Sequence, residues 1–477
     1  MASPFDLTLT VTYFGILLGV GILIANVLKK RKIPDTFFLL LLGLVLGPTI
    51  ALNPIVMQYI DLGSGIVNVS AMGEIPDFLR ILALILIVFS GTFKLSFSLF
   101  KRVSGVSINL AIVGVLFSTV VLGFSAYLIF QIDFVIALLL GAVISGTGSS
   151  VIFAFEDVLP KSKKALSVLK IESVFNSPLT VLLPFIFLDV VALEPGALFT
   201  PLVYISQFWE MIAAGAGTGL LVGVFIAIFL KRMERGYGAL LLFAVAIITY
   251  ALSENIGGSG ILAVAVCGLV AGKMLVKHKN EVGEFDDQIS EMLRIAVFTM
   301  FGAQVTLWMP MKELAMILLF FLITVMIRPI FVMSVLGKLR KELTRSDLIL
   351  MNFVAPKGIA AAAMAPIVVA SIISLANLTV LADRLVNIIF VIIMLSILLS
   401  TIIAKIISYN QLKGSSCNSK KAERVIEKKV KKTKNPEKKK ELLMDASEKK
   451  TEKQKKESTQ ALLDKLEEKE EFKGKRK

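Results

Sequence analysis

Apolar runs of about 20 residues recur along this chain, and that is the length an α-helix needs to cross the roughly 30 Å hydrocarbon core of a bilayer. Read at that period, the sequence predicts roughly thirteen spans. The first covers residues 7–27. The others lie near 36–52, 78–93, 104–130, 133–155, 165–190, 205–230, 237–253, 258–275, 290–308, 312–335, 346–374 and 385–409. Hydrocarbon offers no water to backbone N–H and C=O groups, so each run must satisfy them internally as a helix. With 56% hydrophobic residues in a chain of 477, the apolar surface exceeds what a water-soluble core can hide. The fold class is therefore an all-α polytopic membrane protein.

Several functional classes are excluded at this level. The two cysteines, Cys267 in an apolar run and Cys417 in a polar tail, make neither a disulfide framework nor a metal site. His278 is the only histidine and lies in a Lys-rich loop, so no His-based zinc or haem centre carries the function. No nucleophile with a partner base, no metal cluster and no nucleotide loop is present, so the chain does not read as an enzyme and implies no cofactor.

Lys and Arg accumulate in short cytoplasmic loops, which sets the orientation. Lys29, Lys30, Arg31 and Lys32 follow the first span, Lys101 and Arg102 the third, Lys161, Lys163 and Lys164 the fifth, and Lys231 and Arg232 the seventh. Lys277 and Lys279, then Lys338, Arg340 and Lys341, fall on the same side. Loops 51–77 and 192–204 are almost free of basic residues, and Trp209 and Trp308 sit at helix ends on that face, where an interfacial aromatic belt belongs. This places the N-terminus outside and the C-terminus inside the cell membrane, with the first span as an uncleaved anchor. The expected division is a transmembrane domain at 1–410 and a cytosolic tail at 411–477. The tail holds 23 basic and 13 acidic residues, so most of the formal net charge of +15 resides there. Too few apolar side chains remain to build a core, and the tail is expected to be solvated, with partial helix around 461–470. Its stretch 428–440 fits anionic lipid headgroups, whereas a near absence of aromatic residues argues against nucleic acid.

Inside this apolar framework, residues 172–178 read Glu-Ser-Val-Phe-Asn-Ser-Pro. A charge at membrane depth is costly, and one that persists pairs with another group or lines an ion path. Two further segments are rich in helix-breaking residues. Span five contains Gly141, Ser145, Gly146, Thr147, Gly148, Ser149 and Ser150, and span twelve contains Pro356, Lys357, Gly358 and Pro366. With span seven as a linker, each is the fifth helix of a six-helix half, the arrangement of two inverted repeats whose broken helices cross at the binding site. The four-residue spacing of Gly15 and Gly19, and of Gly215, Gly219 and Gly223, reads instead as close helix packing.

These residues carry a resemblance that covers most of residues 10–409. Glu172 to Asn176 resembles the sixth membrane helix of the sodium/proton exchangers, the monovalent cation:proton antiporters. Ile33-Pro34-Asp35 leading to Gly47-Pro48 is similar to their second helix, Gly257 to Ala263 with Gly268 to their ninth, and Phe301-Gly302 to the end of their tenth. Arg328-Pro329 and Pro356-Lys357-Gly358 are similar to their eleventh and twelfth. The resemblance implies a homodimer of thirteen-span protomers that exchange a cation, sodium first, for protons. It implies that Glu172 pairs with Arg328 beside the site, that Thr147, Ser173 and Asn176 face the ion, and that Lys357 stands where relatives often have Arg.

Two departures remove negative charge. Relatives commonly have Asp where this chain has Gly148, followed here by Ser149, and their sixth-helix ion-binding Asp is Ser177. A serine hydroxyl does not titrate near neutral pH, so another group must carry the proton. Either Glu172 becomes the shared acid, with Lys357 or Arg328 as the competing charge, or Lys357 carries the proton or favours an anionic solute. Asp189 is a third candidate, about three turns from Ser177. The ion-binding set is thus Thr147, Ser149, Glu172, Ser173, Asn176 and Ser177, with Arg328 and Lys357 compensating charge. The competing expectation is a non-transporting, sensor-like member of the family.

Overall fold

The apolar runs fold as helices. The computed structural model describes residues 4–30, 35–47, 69, 72–94, 97–148, 151–152, 155, 159, 161–192, 201–230, 238–274, 279–305, 309–376 and 379–432. Arg31, Lys32, Pro34, Pro48, Ser149, Ser150, Lys231, Arg232, Lys277, His278, Trp308 and the tail beyond 432, including 461–470, lie outside the described residues.

The helices run in chain order as α1 (Pro4–Lys30), α2 (Thr36–Leu46), α3 (Ile75–Phe93), α4 (Phe97–Phe130), α5 (Phe134–Ser145), α6 (Lys163–Val191) and α7 (Pro201–Leu230). They continue as α8 (Gly238–Asn255), α9 (Gly260–Met274), α10 (Lys279–Gln304), α11 (Met311–Leu336), α12 (Arg345–Phe353), α13 (Ile359–Ala376) and α14 (Thr379–Lys432). No strand occurs among the described residues. By length and composition, seven stretches can cross a membrane: Thr10–Leu28, Ile75–Phe93, Gly105–Phe130, Lys163–Val191, Trp209–Leu230, Met311–Leu336 and Val380–Gln411. Five shorter apolar helices accompany them, among them Phe134–Ser145 and Ala360–Ser374. This is an all-helical, multi-pass membrane architecture. The chain divides into compact units at Met1–Ile407 and Ser408–Lys477, and residues 408–432 of the second unit are helical.

Local chemistry sets several helix ends. Asp133 caps α5 by accepting from Val135 N–H at 2.8 Å and Ile136 N–H at 3.4 Å. Thr344 and Asp347 form a capping box at the start of α12. Span ten begins earlier than its apolar pattern suggests: α10 starts at Lys279, because charged residues through Arg294 extend the same helix before its apolar half.

Small residues let the helices approach closely, which matters where no hydrophobic effect separates helix from lipid. In α13 the run Ala360 to Ala365, interrupted only by Met364, is buried, and α13 packs on α3, α5, α6 and α10. Gly215, Gly219 and Gly223 lie against Ser259, Ala263 and Cys267, so their spacing is indeed the α7–α9 seam. Gly15 and Gly19 meet no other helix of this chain among the described residues. A side chain added at either meets nothing within 4 Å among the described residues, whereas one at Gly21 would strike Ile295 at 2.5 Å. Four-residue spacing marks one face of a helix but does not say which face is covered.

Two ion-pair clusters bind helices together. Arg294 of α10 donates to both carboxylate oxygens of Asp35, at 2.9 and 2.7 Å, and to both of Glu291, tying α10 to the start of α2. Arg384 of α14 donates to Glu313 of α11 at 2.5 Å and to the Phe130 carbonyl at 3.2 Å.

Candidate functional site

Both expected helix breaks are present, and they touch. After α5 ends at Ser145 the backbone runs non-helically through residues 146–148, and between α12 and α13 it does the same through 354–358. Gly148 N–H donates to the Pro356 carbonyl at 2.7 Å. A Cβ on Gly148 would lie 2.4 Å from Gly358 Cα, and one on Gly358 would lie 2.2 Å from Gly148 Cα. The crossing is therefore backbone on backbone, and glycine is required on both strands for reasons of space. Gly146 is held as closely, with an added Cβ 2.3 Å from Thr180 Oγ1 of α6.

Breaking a helix strands carbonyls at its C-terminal end and leaves partial negative charge there. Lys357 reaches that end: its Nζ donates to the Ser145 carbonyl at 3.5 Å. Its backbone N–H donates to Ser396 Oγ of α14 at 2.9 Å, which fixes the second break against the last span. No carboxylate lies within ion-pair distance of Lys357 among the described residues.

The polar face of α6 stands beside the crossing. Glu172, Asn176 and Thr180 follow at four-residue spacing and share one stripe, with Ser173 and Ser177 on the next. Glu172 and Arg328 form a buried bidentate pair, with Nη1 to Oε1 at 3.0 Å and Nη2 to Oε2 at 2.9 Å. Arg328 Nε donates to the Met351 carbonyl at 2.9 Å, in the last turn of α12. One guanidinium thus joins α6, α11 and α12. Pro329, next in α11, lacks the N–H that would engage the Val325 carbonyl, so one backbone bond of the helix is absent beside Arg328.

Asn176 Nδ2 donates to Thr147 Oγ1 at 2.6 Å, linking α6 to the first break. Asn176 Oδ1 is buried and without a hydrogen-bond partner among the described residues. Ser173 Oγ donates to the Lys170 carbonyl at 2.9 Å and Ser177 Oγ to the Ser173 carbonyl at 2.7 Å, which leaves both oxygens lone pairs for a ligand. Thr147, Glu172, Ser173, Asn176, Ser177, Arg328 and Lys357 are all less than one tenth exposed. Seven of the eight sequence candidates thus lie at or beside one crossing; the eighth, Ser149, lies outside the described residues. Asp189 is exposed and stands apart. Among the described residues no group of three or more His, Cys, Asp or Glu could hold a fixed metal.

Sequence reasoning missed the residues that complete this shell. Met351, Asn352, Ser396 and Ser400 supply a carbonyl, a hydroxyl contact and unpartnered polar atoms around Arg328 and Lys357, beside the carbonyl of Ser145 in the expected first break. The one signal for them is the four-residue spacing of Ser396 and Ser400 in an otherwise apolar span.

A family profile described as "Sodium/hydrogen exchanger, transmembrane" matches residues 15–408, most of the chain. The chain belongs to the sodium/hydrogen exchanger family. It is therefore a membrane transporter rather than an enzyme. This exchanger-family chain is 28% identical over 318 residues to a protein of Methanocaldococcus jannaschii named probable Na(+)/H(+) antiporter 2, covering 63% of this chain and 71% of that one. It is 26% identical over 243 residues to a K(+)/H(+) antiporter NhaP2 of Shewanella sp., covering 49% of this chain and 42% of the other. Its fold matches the structure of the sodium proton antiporter MjNhaP1 from M. jannaschii at pH 8, with a TM-score of 0.72 at 24% identity, over 85% of this chain and 99% of that one.

Proposed function

We propose that this chain exchanges a monovalent cation, sodium first, for protons across the membrane, and that the cation is held where α6 meets the crossed breaks. The observation that carries the reading is the Thr147–Asn176 contact, with Asn176 Oδ1 buried and unpartnered beside it. Hard monovalent cations take neutral and anionic oxygen ligands. Thr147 Oγ1, Asn176 Oδ1 and the hydroxyls of Ser173 and Ser177 form such a set, and Ser149 follows Thr147 two positions on in the sequence.

The proton is assigned to Lys357. Its ammonium reaches the carbonyl of Ser145, two residues before Thr147, so a charged amine and a bound cation compete at one helix end. Lysine can lose its proton inside a protein whereas arginine does not. Glu172 and Arg328 then stay paired and position α6 against α11. A second reading makes Glu172 the shared acid, favoured by its being the one carboxylate in this cluster of described residues.

The test is dissipation of a pH gradient in proteoliposomes, scanning sodium, potassium and lithium. Cation-dependent dissipation is expected; no response to any of them overturns exchange and favours a non-transporting role. Lys357→Arg locks the charge on, so flux should collapse and its pH dependence vanish. An unaltered pH profile in Lys357→Arg rejects Lys357 as carrier, and proton-coupled flux surviving Glu172→Gln rejects the second reading.

The wider proposal places the protein in the cell membrane with the N-terminus outside and residues 411–477 in the cytosol, as a homodimer. The alternation of Lys and Arg between loops supports the orientation. The basic tail supports contact with anionic headgroups.

A further inference from the structure

We propose that a small cavity between α11, α12 and α14 binds a monovalent anion of the halide class, as counter-ion to Lys357. The cavity measures about 20 Å³ and is lined by Arg328, Asn352, Lys357, Ser396 and Ser400, with Phe321 and Leu399 among its apolar walls. It lies apart from the Thr147–Asn176 contact, neither residue of which lines it.

Three observations converge on an anion. The buried cluster sets one carboxylate, Glu172, against two cationic side chains, Arg328 and Lys357, and Arg328 already occupies both carboxylate oxygens. While Lys357 holds its proton the cluster carries one uncompensated positive charge, and buried charges are ordinarily paired. Next, Asn352 Oδ1 and Ser400 Oγ are buried without hydrogen-bond partners among the described residues, and both residues line this same cavity. Ser400 can donate its hydroxyl, and a half-turn of the Asn352 amide presents its NH₂. Finally, two cationic residues in the lining disfavour a metal cation, and water would satisfy the orphaned atoms while leaving the charge. A space above the roughly 10–15 Å³ that one water-sized sphere requires suits a single-atom anion and is too small for sulfate. An anion held here stabilises the protonated form of Lys357, so bulk halide would set how readily the site releases its proton. The site stands whether or not the chain exchanges cations.

Full-length protein is purified in gluconate buffer at fixed sodium, pH and ionic strength and titrated with bromide, following the thermal unfolding midpoint and retention of radioactive chloride. Saturable halide binding is expected, with sulfate inert. Lys357→Met should weaken it by more than about tenfold, Ser400→Ala should weaken it several-fold, and Lys357→Arg should retain it. Ser400→Ala and Asn352→Leu keep the test open if Lys357→Met does not fold. Wild-type protein without saturable halide binding, or binding unchanged in the variants that fold, overturns the proposal. Cation flux measured in gluconate reports on exchange separately, so either reading can fail while the other holds.

Discussion

Glu172 and Arg328 are worth more as anchors than as a source of net stability, because two buried charges lose hydration to meet. The pair joins α6 to α11, and through Met351 to α12. Removing one partner leaves the other buried and uncompensated, at a cost of about 3–5 kcal/mol. Glu172→Ala and Arg328→Ala should each destabilise by that amount in detergent unfolding, while the double variant loses less than the sum. Simple additivity would mean the pair does not act as a unit. Asn176→Ala is the opposite case. An interhelical hydrogen bond in a membrane is worth about 0.6 kcal/mol on average, so the fold should survive. If Asn176 Oδ1 is a ligand, the sodium concentration for half-maximal flux should rise about tenfold. A normal sodium response would make the contact with Thr147 a packing bond. These residues differ in how visible they are in the sequence. A carboxylate or guanidinium inside an apolar run announces itself through its cost, which is why Glu172 and Arg328 stand out. Asn352 and Ser400 do not, since a serine in a helix is inconspicuous and only the tertiary fold shows that its oxygen is unpartnered.

At the scale of elements, the site exists because two breaks meet. Composition shows that spans five and twelve are broken, but not that Gly148 and Gly358 touch. That contact joins backbones 210 positions apart in the chain, and no local pattern encodes it. Gly148→Ala and Gly358→Ala each place a methyl group against opposing backbone, which cannot rotate away as a side chain can. Overpacking of this kind costs typically 1–3 kcal/mol, and here it also pushes apart the segments carrying Thr147 and Lys357. Each variant should lower thermal stability and cation flux together. Gly15→Ala and Gly19→Ala are the controls. Both positions are helical and meet no other described residue of this chain within 4 Å, so alanine should be neutral or should stabilise α1 by up to about 1 kcal/mol. Loss of folding in those two, measured by monodispersity after extraction, would show that another chain covers the α1 face.

For the whole molecule, the same arithmetic of apolar length and basic loops that marks the spans also predicts a direction in the membrane. The two cysteines make a natural reporter of it. Cys267 is buried in α9, where Thr249 donates to its sulfur at 3.8 Å, so a charged reagent has no access to it in the folded protein. Cys417 falls within the Lys- and Glu-rich tail. A membrane-impermeant maleimide added to intact cells expressing the chain should therefore leave it unlabelled. Permeabilising the membrane should expose Cys417, and Cys417→Ser should abolish that signal. Labelling of Cys417 in intact cells would put the tail outside and reverse the assignment of every loop. The direction bears on mechanism as well as topology. Arg328 sits nearer the end of α11 that leads to the basic segment 338–341, and Ser400 sits nearer Gln411, where the last apolar stretch meets the tail, than to Val380. With the tail inside, the cavity they line faces the cytosolic half of the protein, and the halide that reaches Lys357 is the cytosolic one. With the tail outside, external halide should tune the transporter instead.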